Sequence, residues 1–173
     1  MASGDRRTGH ERIDHTFNFP QFDYDAPGTL FQPAIKIQFF FSKLADVSWQ
    51  HFSKHCAHVH ADMTVAAEAF GAFNVRRYTQ QYQSPSTKGK AIALGMSPLD
   101  YDACSTMWFA NWEDAENFFA APSLCQLSED CKHFMDTSRG IKVFAGQEVI
   151  CFGKAIPDVD SHDGVTEHKK SNS

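Results

Sequence analysis

The stretch AIKIQFFFS, residues 34–42, decides the fold. Ile35, Ile37, Phe39 and Phe41 occupy alternate positions, with Lys36 and Gln38 between them. Side chains of a strand point to opposite faces in turn, so the segment reads as a strand with one wholly apolar face. Asp46 or Ser48 can cap the helix that follows, and its apolar period carries it to about Phe70, ahead of Gly71. Residues 74–83 (NVRRYTQQYQ) alternate again, placing Arg76, Tyr78, Gln80 and Tyr82 on one face. Residues 84–98 are polar and punctuated by Gly and Pro, which predicts a loop. A third strand is expected over 103–109 (ACSTMWF), then a helix over 112–120 and 123–133 broken at Pro122. The last strand spans 141–152 (IKVFAGQEVICF), with a bulge expected at Gly146.

Strand, helix, strand, strand, helix, strand is the βαββαβ order of the ferredoxin-like α+β fold: a four-stranded antiparallel sheet with helices on one face. Ile, Val and Phe fall on both faces of the outer strands, so the uncovered face is expected to meet a second copy as a homodimer, the dimeric α+β barrel arrangement. The domain is expected over residues 33–157. Residues 1–32 form an extended arm anchored by Phe17, Phe19, Phe22, Tyr24, Leu30 and Phe31. Either this arm is pinned to the domain surface, or it covers a pocket or crosses to the second subunit. The polar tail, 158–173, is expected to be disordered.

Composition narrows the function classes. A formal net charge of -5 with no basic stripe argues against nucleic acid. No apolar run approaches the roughly 18 residues needed to cross a bilayer, and the polar beginning lacks a secretory apolar region, so a cytoplasmic protein is expected. Five dispersed cysteines without a CxxC pair read as reduced thiols. The 16 phenylalanines suit a tight core or an apolar ligand pocket.

The first helix carries the chemistry. SWQHFSKHCAHVHADM, residues 48–63, places His51, His55, His58 and His60 within ten residues. At about 100° per residue, Phe52, Cys56, Val59, Met63, Ala66 and Phe70 form the core stripe. His51, His55, His58 and Asp62 lie on one flank and His60 on the other, so His55 and His60 mark the two margins of the buried face. Three readings compete: surface histidines that happen to cluster, a metal site using i, i+4 histidines, and acid–base work by neutral imidazoles. HExxH is absent, and a third metal ligand would have to be Asp62 or something distant, so no metal is assigned. GxGxxG, P-loop and haem motifs are absent too, and no cofactor is expected. Asp62, Asp102 and Glu148 can orient a histidine or sit in turns and caps.

Residues 49–61 resemble the signature of EthD-domain proteins. Phe52 matches the family Phe, His55-Cys56 stand at its aromatic pair, and His60-Ala61 match its His and small residue. Arg77-Tyr78, Tyr101-Asp102, Met107-Trp108-Phe109 and Gly146-Gln147-Glu148 resemble later family positions, while Asp62-Met63 replaces Pro-Leu. The resemblance spans about residues 34–153. It implies a dimeric α+β barrel and, through fungal relatives, an aromatic polyketide pathway with dehydratase or cofactor-free anthrone-type monooxygenase chemistry. Fold alone does not choose between them.

For a β-hydroxy ketone substrate, dehydration needs a base for the α-proton, an acid for the leaving hydroxyl and a donor to the enolate oxygen. The expected roles are His60 as base, His55 as acid or orienting partner, and Tyr78 as donor. Phe39, Phe41, Met107 and Trp108 are expected to supply apolar walls, alternation leaving open which strand face does so, and His51 lies nearby, all substrate-binding candidates. The same base would serve an oxygenase. A non-catalytic carrier of a small aromatic or polyketide molecule is the remaining alternative.

Overall fold

Ile35, Ile37, Phe39 and Phe41 all face one side of a sheet. The structure, a computed structural model, describes residues 15–23 and 25–167. Its four strands are β1 (Phe31–Phe41), β2 (Val75–Tyr82), β3 (Ala103–Phe109) and β4 (Lys142–Val149). They lie in the order β2-β3-β1-β4, each neighbouring pair antiparallel. The protein is therefore a ferredoxin-like α+β fold.

Helices cover the apolar face. The first is one continuous rod: α1 (Trp49–Lys54), a π-helical turn (His55–His60) and α2 (Ala61–Ala66). Ser48 caps it, accepting from the His51 N–H at 3.1 Å, a contact worth about 1 kcal/mol. At Ala67 the backbone turns extended, so the rod stops short of Phe70 and a separate α3 (Glu68–Ala72) follows. The second helical layer is α5 (Trp112–Ala120) and α6 (Cys125–Cys131), joined by a 3₁₀ turn beginning at Pro122.

The core divides along the sheet. Ile35, Ile37, Met107 and Phe109 pack on Ala69, Ala115 and Phe118. Phe41 and Ala103 pack on Phe52, Cys56, Phe134 and Met135. Phe52, Phe109 and Phe134 are wholly removed from water, each worth about 1.5–3 kcal/mol of transfer free energy.

Further expectations are corrected. Residues 84–98 are not all loop: α4 (Pro85–Ala93) starts on Ser84, whose hydroxyl accepts from the Thr87 N–H at 3.1 Å, with Pro85 pre-set in the first turn. Arg76 does not share the Tyr78 face, because Val75 and Arg77 oppose the consecutive residues Phe109 and Trp108, leaving Arg76 as the exposed residue of a bulge. The irregularity expected at Gly146 lies instead on β1 between Phe31 and Ile35, where Pro33 has no N–H to give the ladder.

Residues 158–167, expected to be disordered, pack on the domain. Val159 seats against Ala34 and Trp108. The buried Gln32 amide accepts from the N–H groups of Ser161 and His162, both at 3.0 Å, and donates to the His162 carbonyl at 2.7 Å. Residues 168–173 and 1–14 lie outside the described residues.

The second sheet face is mixed rather than apolar. Lys36, Gln38, Arg77, Thr106 and Glu148 share it with Phe40, Trp108 and the exposed Phe144. No helix among the described residues is long and apolar enough to cross a membrane.

Candidate active site

In a regular α-helix, residues five apart stand about 140° apart, which would set His55 and His60 on opposite flanks. Here the Ala61 N–H bonds the Cys56 carbonyl, five residues back, and the wider turn brings the two imidazoles round to one side. Both meet the same carboxylate. His55 Nε2 lies 2.9 Å from Asp130 Oδ1, and His60 Nδ1 lies 2.9 Å from Asp130 Oδ2. Asp130 is buried near the end of α6. The Phe134 ring backs both imidazoles, its centroid 5.2 Å from His55 and 5.1 Å from His60.

This geometry assigns the tautomers. An ionised carboxylate only accepts, so both nitrogens facing Asp130 carry hydrogen. His60 Nε2 is then left unprotonated as the basic nitrogen. Burial raises the Asp130 carboxyl, but the His55 and His60 bonds outweigh it and hold the group below the ordinary carboxylate range. Burial lowers His60 despite its bond to Asp130, so the imidazole is neutral near pH 7.

His60 borders an apolar cleft of about 180 Å³ between the sheet and the helices. Phe39, Phe41, Tyr78 and Met107 line it too, with hydroxyls from Thr64, Ser105 and Ser128. The Tyr78 hydroxyl accepts from Gln80 Nε2 at 2.6 Å. Burial pushes its phenol above the usual range, so it stays protonated as a donor. Cys131 on the cleft wall and Cys56 behind it are each pushed up to about 11 by burial, which keeps both thiols neutral.

The sequence-predicted residues thus separate. His60, Tyr78, Phe39, Phe41 and Met107 come together on one cleft. His55 lies behind Asp130 and opens onto an outer groove shared with His51 and His58. His51 is exposed and keeps only a ring contact to His55, at 5.8 Å between centroids. Trp108 is on the other sheet face, one residue from Met107, where Lys36 and Arg77 stack on its ring. Asp62 is exposed, Asp102 binds Lys43 and Lys88, and Glu148 pairs with Lys36, so none of the three orients a histidine. No described residue of the arm lines the cleft. Among the described residues, no three His, Cys, Asp or Glu side chains converge as a metal-binding group.

Asp130, Gln80 and Phe134 complete the geometry of the candidate site, and the sequence did not single them out. Asp130 stands 70 residues from His60, and no local pattern links them. Gln80 carried one signal, its place on the same strand face as Tyr78.

The family model for the EthD domain matches residues 44–138. This chain belongs to the EthD domain family. The match takes in both imidazoles, Asp130, Tyr78 and Phe134. Among solved structures, an EthD family protein from Bacillus halodurans is 16% identical, with 67% of this chain and 99% of that one covered and a TM-score of 0.46. A DABB family protein with a ferredoxin-like fold from Mesorhizobium loti is 15% identical over 67% of this chain and 95% of its own, TM-score 0.44. The hydroxynitrile lyase of Passiflora edulis is 12% identical over 72% and 97%, TM-score 0.42. No curated protein matches the chain.

Proposed function

We propose that this EthD-domain protein is a cofactor-free dehydratase, a lyase acting on an aromatic or polyketide-derived β-hydroxy ketone in cytoplasmic secondary metabolism. The observation that carries the reading is His60: its Nδ1–H is held by the buried Asp130, and its ring borders an apolar cleft that also holds the Tyr78 hydroxyl.

His60 Nε2 takes the α-proton, and Asp130 stabilises the imidazolium that forms. The C–H electron pair moves into the carbonyl, and Tyr78 donates to the enolate oxygen. As the carbonyl re-forms, the C–O bond to the β-hydroxyl breaks, and His60 returns its proton to that oxygen. Water and the conjugated ketone leave. His55, away from the cleft, acts as an orienting partner through Asp130 rather than as the acid. Phe39, Phe41 and Met107 bear on the flat faces of the substrate.

The test is turnover of β-hydroxy polyketide ketones by wild type and His60→Gln, under air and under nitrogen. A dehydratase runs at full rate anaerobically and loses turnover with His60. Oxygen consumption matched to product would replace this reading with cofactor-free oxygenation by the same base. Retained turnover in His60→Gln would remove the histidine mechanism, and tight binding without turnover would favour a carrier.

A homodimer through the second sheet face belongs to the same proposal. The exposed Phe144 and half-buried Phe40 support it, and sedimentation of the full chain tests it.

A further inference from the structure

We infer that Gln80 is a positioning residue that ties the π-helical turn bearing His55 and His60 to the Tyr78 hydroxyl, so that one amide sets both sides of the cleft. Gln80 Nε2 donates to the Cys56 carbonyl at 3.2 Å and to the Tyr78 hydroxyl at 2.6 Å. Its Oε1 accepts from the Tyr82 hydroxyl at 2.5 Å. A backbone carbonyl can only accept, so the amide group facing Cys56 must be the NH₂, and the orientation of Gln80 is fixed by chemistry.

Two consequences meet at this residue. The Cys56 carbonyl is the one that the π-turn hands to the Ala61 N–H instead of to the His60 N–H. A second donor on that carbonyl, from a neighbouring strand, favours the widened turn over the regular helix. The widened turn is what lets His55 and His60 reach Asp130 together. On the other side, the Tyr78 oxygen already accepts from Gln80, so its own hydrogen is left to point elsewhere. Thr64 and Ser105, the hydroxyls near it, line the cleft with Tyr78. Ser105 and Thr64 can accept that hydrogen, and a ligand oxygen in the cleft competes with them for it.

The catalytic value of this arrangement rests on the acid–base reading above, but its geometry is testable without any substrate. Nuclear magnetic resonance of the full chain with ¹⁵N-labelled histidine reports imidazole N–H protons held in hydrogen bonds. Wild type is expected to show two such protons, from His55 and His60. Gln80→Met keeps length and loses both donations. One of the two signals should disappear, while methyl signals from Met107 and the Phe118 side of the core stay in place. If Gln80→Met keeps both signals at wild-type shifts, the inference is overturned. Should that variant fail to fold, Tyr82→Phe frees the same amide by removing the hydroxyl that Gln80 Oε1 accepts from, and Cys56→Ala controls for the contact of that hydroxyl with the Cys56 thiol. Weakened protection of one imidazole proton then supports the inference, and unchanged protection overturns it. Failure of the dehydratase assay would leave either result standing.

Discussion

His60 Nδ1 lies 2.9 Å from Asp130 Oδ2, and this one contact decides which nitrogen of the cleft histidine is basic. The carboxylate has no hydrogen to give, so His60 must donate and its Nε2 must carry the lone pair. His55 holds the other oxygen at the same distance, which leaves Asp130 no freedom to turn away.

Asp130→Asn replaces one acceptor oxygen by a donor while keeping the shape. One imidazole then faces an N–H and must change tautomer or lose its partner. With His60 flipped, its basic nitrogen points away from the cleft. Turnover should fall by about 10²–10⁴-fold, as expected when an orienting carboxylate is lost, with little change in KM. Steady-state kinetics beside a far-ultraviolet circular dichroism spectrum checks this. A variant of unchanged kcat would remove Asp130 from the mechanism.

Acid should weaken the fold in two successive steps. His60 is lowered from 6.5 by burial, so the folded ring refuses a proton that the unfolded chain accepts. Its contribution is therefore complete above pH 6.5 and is lost as pH falls below that toward the folded value. Asp130 is held below 3.8 by its two imidazoles against the opposing effect of burial. Its contribution is present above 3.8 and is lost as pH falls through the lower folded value. Urea midpoints across this range should show both declines, and His60→Gln should remove the upper one. An equal slope in wild type and His60→Gln just below pH 6.5 would show that the upper step has another source.

The strands were legible because a single period governs them. Alternation from Ile35 to Phe41 follows from burial on one face, whereas Ala103–Phe109 is buried on both faces and reads as a strand from its apolar and aromatic content. The π-turn was not legible, since helical geometry assumes one period throughout, and that assumption separated His55 from His60. Asp130 was hidden because a carboxylate near a helix end looks like any solvated residue until α6 is laid against the π-turn. Alternation allows only one of Met107 and Trp108 to face the helices, and the sequence left open which; the sheet puts Met107 there. The tail looked disordered by composition, yet two valines and the distant Gln32 suffice to fix it.

Phe134 supports the site from beneath. It is wholly buried, and besides the two imidazoles it meets Phe41 at 6.3 Å and Phe52 at 6.0 Å between centroids. Phe134→Ala leaves a ring-sized cavity and should cost about 3–5 kcal/mol of unfolding free energy. Phe134→Leu should retain most of the stability, yet it removes the flat surface against which both imidazoles rest. Chemical denaturation separates the two variants. Turnover in the folded Leu variant then shows how much the ring contributes to holding His60.

At Gly164 the C-terminal segment passes close against the backbone of residues 150–152. A Cβ there would stand 2.4 Å from the Ile150 carbonyl oxygen and 2.7 Å from the Phe152 backbone nitrogen. Both are backbone atoms flanking the crossing of Phe152 with Val165, so no side-chain rotation relieves the clash. Gly164→Ala should therefore displace the segment, at a cost of about 1–3 kcal/mol. The Val165 and Val159 anchors would loosen with it, and Gln32 would lose its three bonds to residues 161 and 162. Limited proteolysis followed by mass spectrometry should find the variant cut between residues 153 and 165 far sooner than wild type. The cleft lies on the opposite sheet face from Trp108, so turnover by the uncut variant should match wild type. Equal cleavage rates would mean that the crossing at Gly164 does not hold the segment.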